Sequence, residues 1–288
     1  MLMQVKKPKV KIPQGEGYEE IRALGKELKL ATVCQEARCP NIGECWDSGT
    51  ATFMLMGDTC TRACKFCAVK TGNPKGVLDE NEPENIGTAI AKMKLNYVVL
   101  TSVDRDDLKD QGASHFARTV EVIRRNNSKI LIEVLAPDFS GVKTSIERLV
   151  KAKPDVYAHN IETVERLTPV VRDRRSKYRQ SLDVLKLVKE LDPAIYTKSS
   201  IMLGLGEQRE EIHKSLAELR EVGVDAVTFG QYLQPTPKHL KVLEYVKKEE
   251  FEYWDQEAKK LGFMYVASGP LVRSSFKAFE YFMEKKKM

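Results

Sequence analysis

Six cysteines fall between residues 34 and 67, and the rest of the 288-residue chain contains none. They form two triplets. Cys60, Cys64 and Cys67 sit in CTRACKFC, with three and then two intervening residues, while Cys34, Cys39 and Cys45 sit in CQEARCPNIGEC, with four and then five. Disulfides are one reading of such grouping. The start MLMQVKKPKVK, however, puts proline and lysine where a secretory signal would carry an apolar stretch. A reducing compartment, the cytoplasm, is therefore expected, and there clustered thiols more often bind metals or iron-sulfur clusters. Three thiolates on one tight loop hold three irons of a four-iron cluster and leave the fourth open to a small chelating molecule. A structural zinc knot is the competing chemistry for either triplet. Zinc takes four ligands, and neither triplet has a fourth cysteine or a histidine at usable spacing; the histidines are His115, His159, His213 and His239.

A cluster loop needs a scaffold, and the pattern that follows it supplies one. From about Thr52 onward, short β-rich apolar runs alternate with amphipathic stretches, the signature of βα units around a parallel sheet. The expected strands are Phe53 to Met56, Tyr97 to Thr101, Ile130 to Leu135, Val156 to Ala158, Tyr196 to Leu203, Ala226 to Phe229 and Phe263 to Ala267. Helical periodicity marks His115 to Arg125, Ser145 to Ala152, Ser181 to Leu191 and Glu210 to Val222. The expected fold is α/β, a partial (β/α)6 TIM-type barrel with N-terminal and C-terminal extensions; a doubly wound open sheet is the alternative. In a barrel the chemistry sits at the carboxyl ends of the strands. Polar, glycine-containing segments follow the strands there, including Gly57 to Thr59, Thr101 to Asp107, Pro137 to Gly141 and Gly204 to Gly206. The expected division is 1–50, an extension; 51–267, the barrel; and 268–288, a closing segment with a lysine-rich helix.

The composition, 42% hydrophobic and 31% charged, is that of a globular protein. A net charge of +6 spread along the chain argues against nucleic acid as partner. No apolar run approaches the ~20 residues of a membrane span. Short basic clusters at Lys6 to Lys11 and Lys285 to Lys287 read as solvated tails or as docking points for an acidic protein.

The CxxxCxxC spacing, with Phe66 just before the last cysteine, resembles the signature of the radical S-adenosylmethionine (SAM) superfamily. The resemblance implies a four-iron cluster on Cys60, Cys64 and Cys67 whose open iron takes SAM. Both triplets in this order resemble one family, the lipoyl synthases. So do ARCPNIGECW, TSVDRDDL, IEVLAPDF, AHNIETVERL, MLGLGE, FGQYLQPTPKHL and ASGPLVRSS, in family order along nearly the whole chain. Other superfamily members with an auxiliary cluster, such as methylthio-transferring or peptide-modifying enzymes, typically carry extra domains or different spacing. A non-enzymatic electron carrier or zinc module would not need so long a βα array.

The family resemblance implies two [4Fe-4S] clusters and insertion of two sulfur atoms, at C6 and C8, into an octanoyl-lysyl group. Its implied partners are an octanoylated lipoyl carrier protein (glycine cleavage H protein or the lipoyl domain of a 2-oxoacid dehydrogenase E2), an external electron donor and a cluster-repair carrier. It further implies that Cys34, Cys39 and Cys45 hold the auxiliary cluster, the sulfur donor, with Ser275 of Arg273-Ser274-Ser275-Phe276 as its fourth ligand. A serine oxygen is a harder ligand than thiolate and releases iron more readily. The usual motif has Tyr and His where Phe276 and Lys277 stand here. A helix N-cap is the other use of a serine at that place. Thr101, Ser102, Glu133 and Asn160 resemble polar groups that hold SAM, and an acid in an apolar strand is costly to bury unpaired. Gly204 and Gly206 would let the backbone approach the adenine, or simply make a turn. Asp104 to Asp107 read as a solvated turn or as part of the SAM site. Arg172, Arg174, Tyr178, Gln231 and Tyr232 are further candidates for substrate or cofactor contacts.

Overall fold

The protein is represented by a computed structural model that describes residues 19, 22, 23, 32, 41–47, 50–93 and 95–274. Cys34, Cys39 and Ser275, with the lysine-rich helix expected near the end, lie outside the described residues.

Seven strands make one parallel sheet: β1 (Thr50–Leu55), β4 (Tyr97–Ser102), β5 (Leu131–Leu135), β6 (Val156–Ala158), β7 (Tyr196–Leu203), β8 (Ala226–Gln231) and β9 (Tyr265–Gly269). Their order in the sheet is their order in the chain. A doubly wound sheet reverses at a switch point, and this one does not, so the topology is that of a (β/α) barrel. All seven expected strands are present. A separate two-residue pair, β2 (Thr59–Cys60) with β3 (Lys70–Thr71), brackets the cysteine loop, Cys60 lying opposite Thr71.

The chain divides into two compact units. Of the described residues, one holds those up to Arg62 and Val69–Tyr157. Its helices are α1 (Ile42–Asp47), α2 (Glu82–Lys92), α3 (Ala113–Asn126) and α4 (Lys143–Lys151). α3 packs on both α2 and α4, burying Phe116, Val120 and Ile123 along one stripe. α2 follows the proline and acid preferences of a first turn, with Pro83 and Glu84. Trp46 of α1 is buried, and α1 lies on β1.

The other unit joins Ala63–Ala68 to Ala158–Ser274. It contains α5 (Thr168–Val171), α6 (Tyr178–Leu191), α7 (Arg209–Glu221) and α8 (Lys248–Lys260). Its core joins Leu182 and Leu185 of α6, Leu216 and Leu219 of α7, Phe229 of β8 and Trp254 of α8. α7 begins with a capping box, Gln208 and Glu211 each satisfying the other's backbone N–H. Among the described residues no helix is long and apolar enough to cross a membrane.

Candidate active site

β1 delivers the chain to the cysteine loop through Met56 and Gly57, both with positive φ (66° and 88°). Met56 is not a glycine, and a left-handed residue of this kind persists only where its surroundings hold it. Here they do. Glu82 accepts its N–H on both oxygens, at 2.9 and 3.1 Å, and Arg105 Nη1 donates to its carbonyl at 3.2 Å. Gln111, Phe139 and Ser140, in the segments after β4 and β5, are left-handed as well. This unit therefore places its non-ideal backbone largely on the carboxyl side of its strands.

In that unit the Cys60 sulfur accepts the backbone N–H of Arg62 and of Asp104, each at 3.4 Å, and its thiol lies 3.7 Å from Asp104 Oδ2. Thr61 N–H donates to the Asp104 carbonyl at 3.0 Å, and the Thr61 hydroxyl meets Asp106 Oδ2 at 2.6 Å. Arg62, 3% exposed, forks onto Asp138 and onto Asp106 and reaches Asp104 at 3.4 Å. Burial alone would lower its affinity for the proton; hydrogen bonds to Asp138 and Asp106 outweigh burial and hold it above the ordinary value. Arg105 is equally buried and pairs with Asp107 at 2.8 Å. The segment Asp104 to Asp107 is thus an ion-pair framework against the cysteine loop, which corrects its reading as a solvated turn. The spacing could not show this, because Arg62 and Asp138 stand 76 positions apart.

In the other unit the Cys64 sulfur accepts the Asp173 N–H at 3.3 Å, and Asp173 Oδ2 accepts the Ala63 N–H at 2.9 Å. Lys65 N–H donates to the Val171 carbonyl, and the Leu240 N–H returns to the Lys65 carbonyl. His239 donates from Nε2 to the Cys67 carbonyl at 2.9 Å, while its Nδ1 is satisfied by the Thr236 hydroxyl at 2.9 Å. Phe66 packs with Val171, Leu205 and Tyr232, so the aromatic residue of the motif anchors the loop through apolar contact.

These contacts suit a cluster. Cys45, Cys60, Cys64 and Cys67 are partly exposed thiols. N–H groups aimed at sulfur favour the thiolate, the form that ligates metal. No three His, Cys, Asp or Glu side chains among the described residues are gathered tightly enough for a single metal ion. A cubane is less demanding, since each cysteine binds a different iron. Among the described residues the histidines bond to other groups, His115 to Glu82, His159 to Ser181, His213 to Tyr253 and His239 to the Cys67 carbonyl.

The expected SAM contacts have varied surroundings. Thr101 Oγ1 donates to the Leu135 carbonyl at 3.0 Å, while Ser102 Oγ is buried with no hydrogen-bond partner among the described residues. Asn160 donates to Glu162 at 3.1 Å, and its Oδ1 is likewise buried and unpartnered. Such orphaned atoms at the carboxyl ends of strands fit a polar ligand. Glu133 is fully buried and accepts the Tyr97 hydroxyl at 2.5 Å, the partner its burial required. A Cβ at Gly204 would meet Gln231 Nε2 and the Glu244 carbonyl, both at 2.4 Å, so protein atoms already use that close approach. Glu207 closes the same turn by accepting the Gly204 and Leu205 N–H groups.

Among the other candidates, Gln231 is fully engaged with backbone, Tyr232 donates to the Leu240 carbonyl and Tyr178 to Glu218. Arg172 is buried on Ser181, and Arg174 is exposed. Sequence reasoning missed Tyr157 of β6. Its hydroxyl is buried without a hydrogen-bond partner among the described residues, and burial, then the Asp138 charge, keep the phenol protonated.

Residues 54–219 match the Radical SAM superfamily. The fold is similar to that of Streptococcus suis SuiB bound to S-adenosylmethionine, with a TM-score of 0.59 at 12% identity over 82% of this chain and 55% of that one. It is also similar to methylornithine synthase (PylB), with a TM-score of 0.56 at 12% identity over 91% and 86%. Fold and loop together define a radical SAM enzyme. "Lipoyl synthase, mitochondrial" of Drosophila melanogaster is 59% identical over 280 residues, covering 96% of this chain and 74% of that protein, and its namesake in Aedes aegypti is 58% identical, covering 96% and 71%. The chain belongs to the lipoyl synthase family, the sulfur-inserting radical SAM enzymes of lipoate biosynthesis.

These relatives correct the cytoplasmic expectation, since their names point to mitochondria. That expectation rested on reduced thiols and the lack of a secretory pattern, and a reducing organelle interior is compatible with both.

Proposed function

We propose that the chain inserts two sulfur atoms, at C6 and C8, into the octanoyl-lysyl group of a lipoyl carrier protein, holding one four-iron cluster on Cys60, Cys64 and Cys67 and a second on Cys34, Cys39, Cys45 and Ser275. When bound, the first cluster with SAM supplies a 5'-deoxyadenosyl radical and the second supplies sulfur. The extension of residues 1–50 and the closing segment 268–288 provide the ligands of the second. The observation that carries this reading is the pair of cysteine sulfurs, Cys60 and Cys64, each already met by backbone N–H groups in a loop that follows β1.

The chain's own part is to position, to hold charge and to keep water out. Arg62 and the Asp104–Asp107 framework fix the loop at Cys60; Asp173 and His239 fix it at Cys64 and Cys67. Each within its own unit, Ser102 and Tyr157 in one and Asn160 in the other present a buried polar atom with no hydrogen-bond partner among the described residues, of the kind a polar ligand would satisfy. The substrate's carrier is the H protein of glycine cleavage or an E2 lipoyl domain, with an external electron donor and a cluster-repair carrier as further partners.

The test is anaerobic. The reconstituted protein is assayed for iron and sulfide, then given SAM, a strong reductant and an octanoyl-lysyl peptide. About eight irons per chain, with 5'-deoxyadenosine and a dithiolated peptide, are expected. Eight irons and deoxyadenosine without sulfur in the peptide would sink the substrate assignment while leaving the radical chemistry standing.

A further inference from the structure

The cations of the Ala158–Ser274 unit fall into two groups. Many of those away from the cysteine loop are neutralised within the fold: Arg166 pairs with Glu211, Arg179 with Glu165 and Glu218, Lys214 with Glu165, Arg209 with Glu250, and Lys259 with Asp255. Those beside the cysteine loop are not. Lys65, Arg174, Lys177, Lys238 and Lys241 are all exposed, and none forms an ion pair among the described residues.

Hydrogen bonds, two between backbone groups and two through side chains, tie these five positions to one place. Lys65 bonds through N–H to Val171 and through its carbonyl to Leu240; Ala63 bonds to Asp173, and His239 to Cys67. The segments bearing Arg174 and Lys177 and those bearing Lys238 and Lys241 therefore flank the loop that holds Cys64 and Cys67. Local acids do little to offset them. Asp173 is occupied by Arg175, and residues 235–242, PTPKHLKV, contain no acid. The exposed part of this rim offers no aromatic platform of the kind single-stranded nucleic acids require.

We infer that this cationic rim is the docking surface for an acidic protein, the domain that bears the octanoyl-lysyl arm. The inference rests on the sulfur-insertion reading and adds a place to it: the carrier's body stands against Lys177, Lys238 and Lys241 while its arm enters beside the cysteine loop. Unpaired rim charges mainly accelerate encounter and do so in a salt-dependent way.

The test compares the holoenzyme with a Lys238→Glu/Lys241→Glu variant on two substrates, an octanoylated carrier protein and a short uncharged octanoyl-lysyl peptide. The variant is expected to raise KM for the carrier about tenfold or more at low salt, to flatten its dependence on ionic strength, and to leave peptide turnover and iron content unchanged. If that variant folds poorly, Lys177→Gln/Lys241→Gln is read in the same way, with a smaller shift. An unchanged carrier KM with intact peptide turnover would overturn the docking surface alone. Failure of the unmodified enzyme to dithiolate either substrate would instead overturn the sulfur-insertion reading, and the docking surface with it.

Discussion

Arg62 and Asp138 meet as two forks, Nη1 to Oδ2 and Nη2 to Oδ1, both at 2.8 Å, with neither side chain more than 2% exposed. Arg62 lies between two cluster cysteines in the chain, and Asp138 lies after β5. Asp104 and Asp106 flank the same guanidinium, so one cation faces three carboxylates beside the Cys60 sulfur. Removing one partner of a buried pair costs about 3–5 kcal/mol, because the other charge stays behind. Arg62→Met should therefore lower stability by an amount of that order and reduce iron retained after reconstitution. Arg62→Lys keeps the charge but cannot form both forks, and should fall between. The urea midpoint and iron content per chain measure this; wild-type values in both variants would refute a positioning role.

Asp173 acts in the unit that holds Cys64. Its N–H meets the Cys64 sulfur, its carboxylate accepts the Ala63 N–H, and Arg175 holds it ionised well below the usual carboxylate range. Asp173→Ala keeps the N–H but loses the carboxylate that fixes Ala63 and Arg175. The expected outcome is faster loss of cluster absorbance to a chelator, with the fold retained by circular dichroism. Equal chelation rates would show that the backbone alone holds the loop.

What the sequence revealed and what it hid follow from range. The CxxxCxxC ligand spacing is local, and the seven strands announce themselves as short apolar runs. α8 reads KEEFEYWDQEAKK and buries only Phe251, Trp254 and Ala258, so its stripe was too sparse to register. α2 was hidden for a related reason, since its inner face is largely proline, isoleucine and small residues such as Gly87 and Ala89. The polar framework was illegible because its partners meet only after folding: Arg62 finds Asp138, and Glu82 finds Met56 and His115. Orphaned hydroxyls such as that of Tyr157 carry no signal in the sequence.

Asp107 should make this framework acid-sensitive. Its hydrogen bonds from Arg105, which outweigh burial, and the Gly76 N–H bring its pKa down to about 2. An unfolded aspartate titrates near about 3.9. Stability from Asp107 is thus fully present above that value and is lost as pH falls from about 4 towards about 2. Asp107→Asn should be less stable than the parent at pH 7, and the gap should close across that window. Urea midpoints of the cluster-free chain at several pH values measure it; a gap independent of pH would mean that the ion pair contributes nothing through ionisation.

Ser275 is the sharpest test of the second cluster. A serine oxygen is a hard ligand among thiolates, suited to a site whose iron must be released as sulfur is given up. Ser275→Ala should leave the first cluster and much of the second assembled, so that SAM is still cleaved to 5'-deoxyadenosine, while sulfur insertion is abolished. Ser275→Cys supplies a softer ligand that holds iron more firmly, and should retain full iron yet form little dithiolated product. Mass spectrometry of the peptide, with deoxyadenosine counted in the same reaction, separates the two chemistries. Full dithiolation by Ser275→Ala would remove this residue from the ligand set.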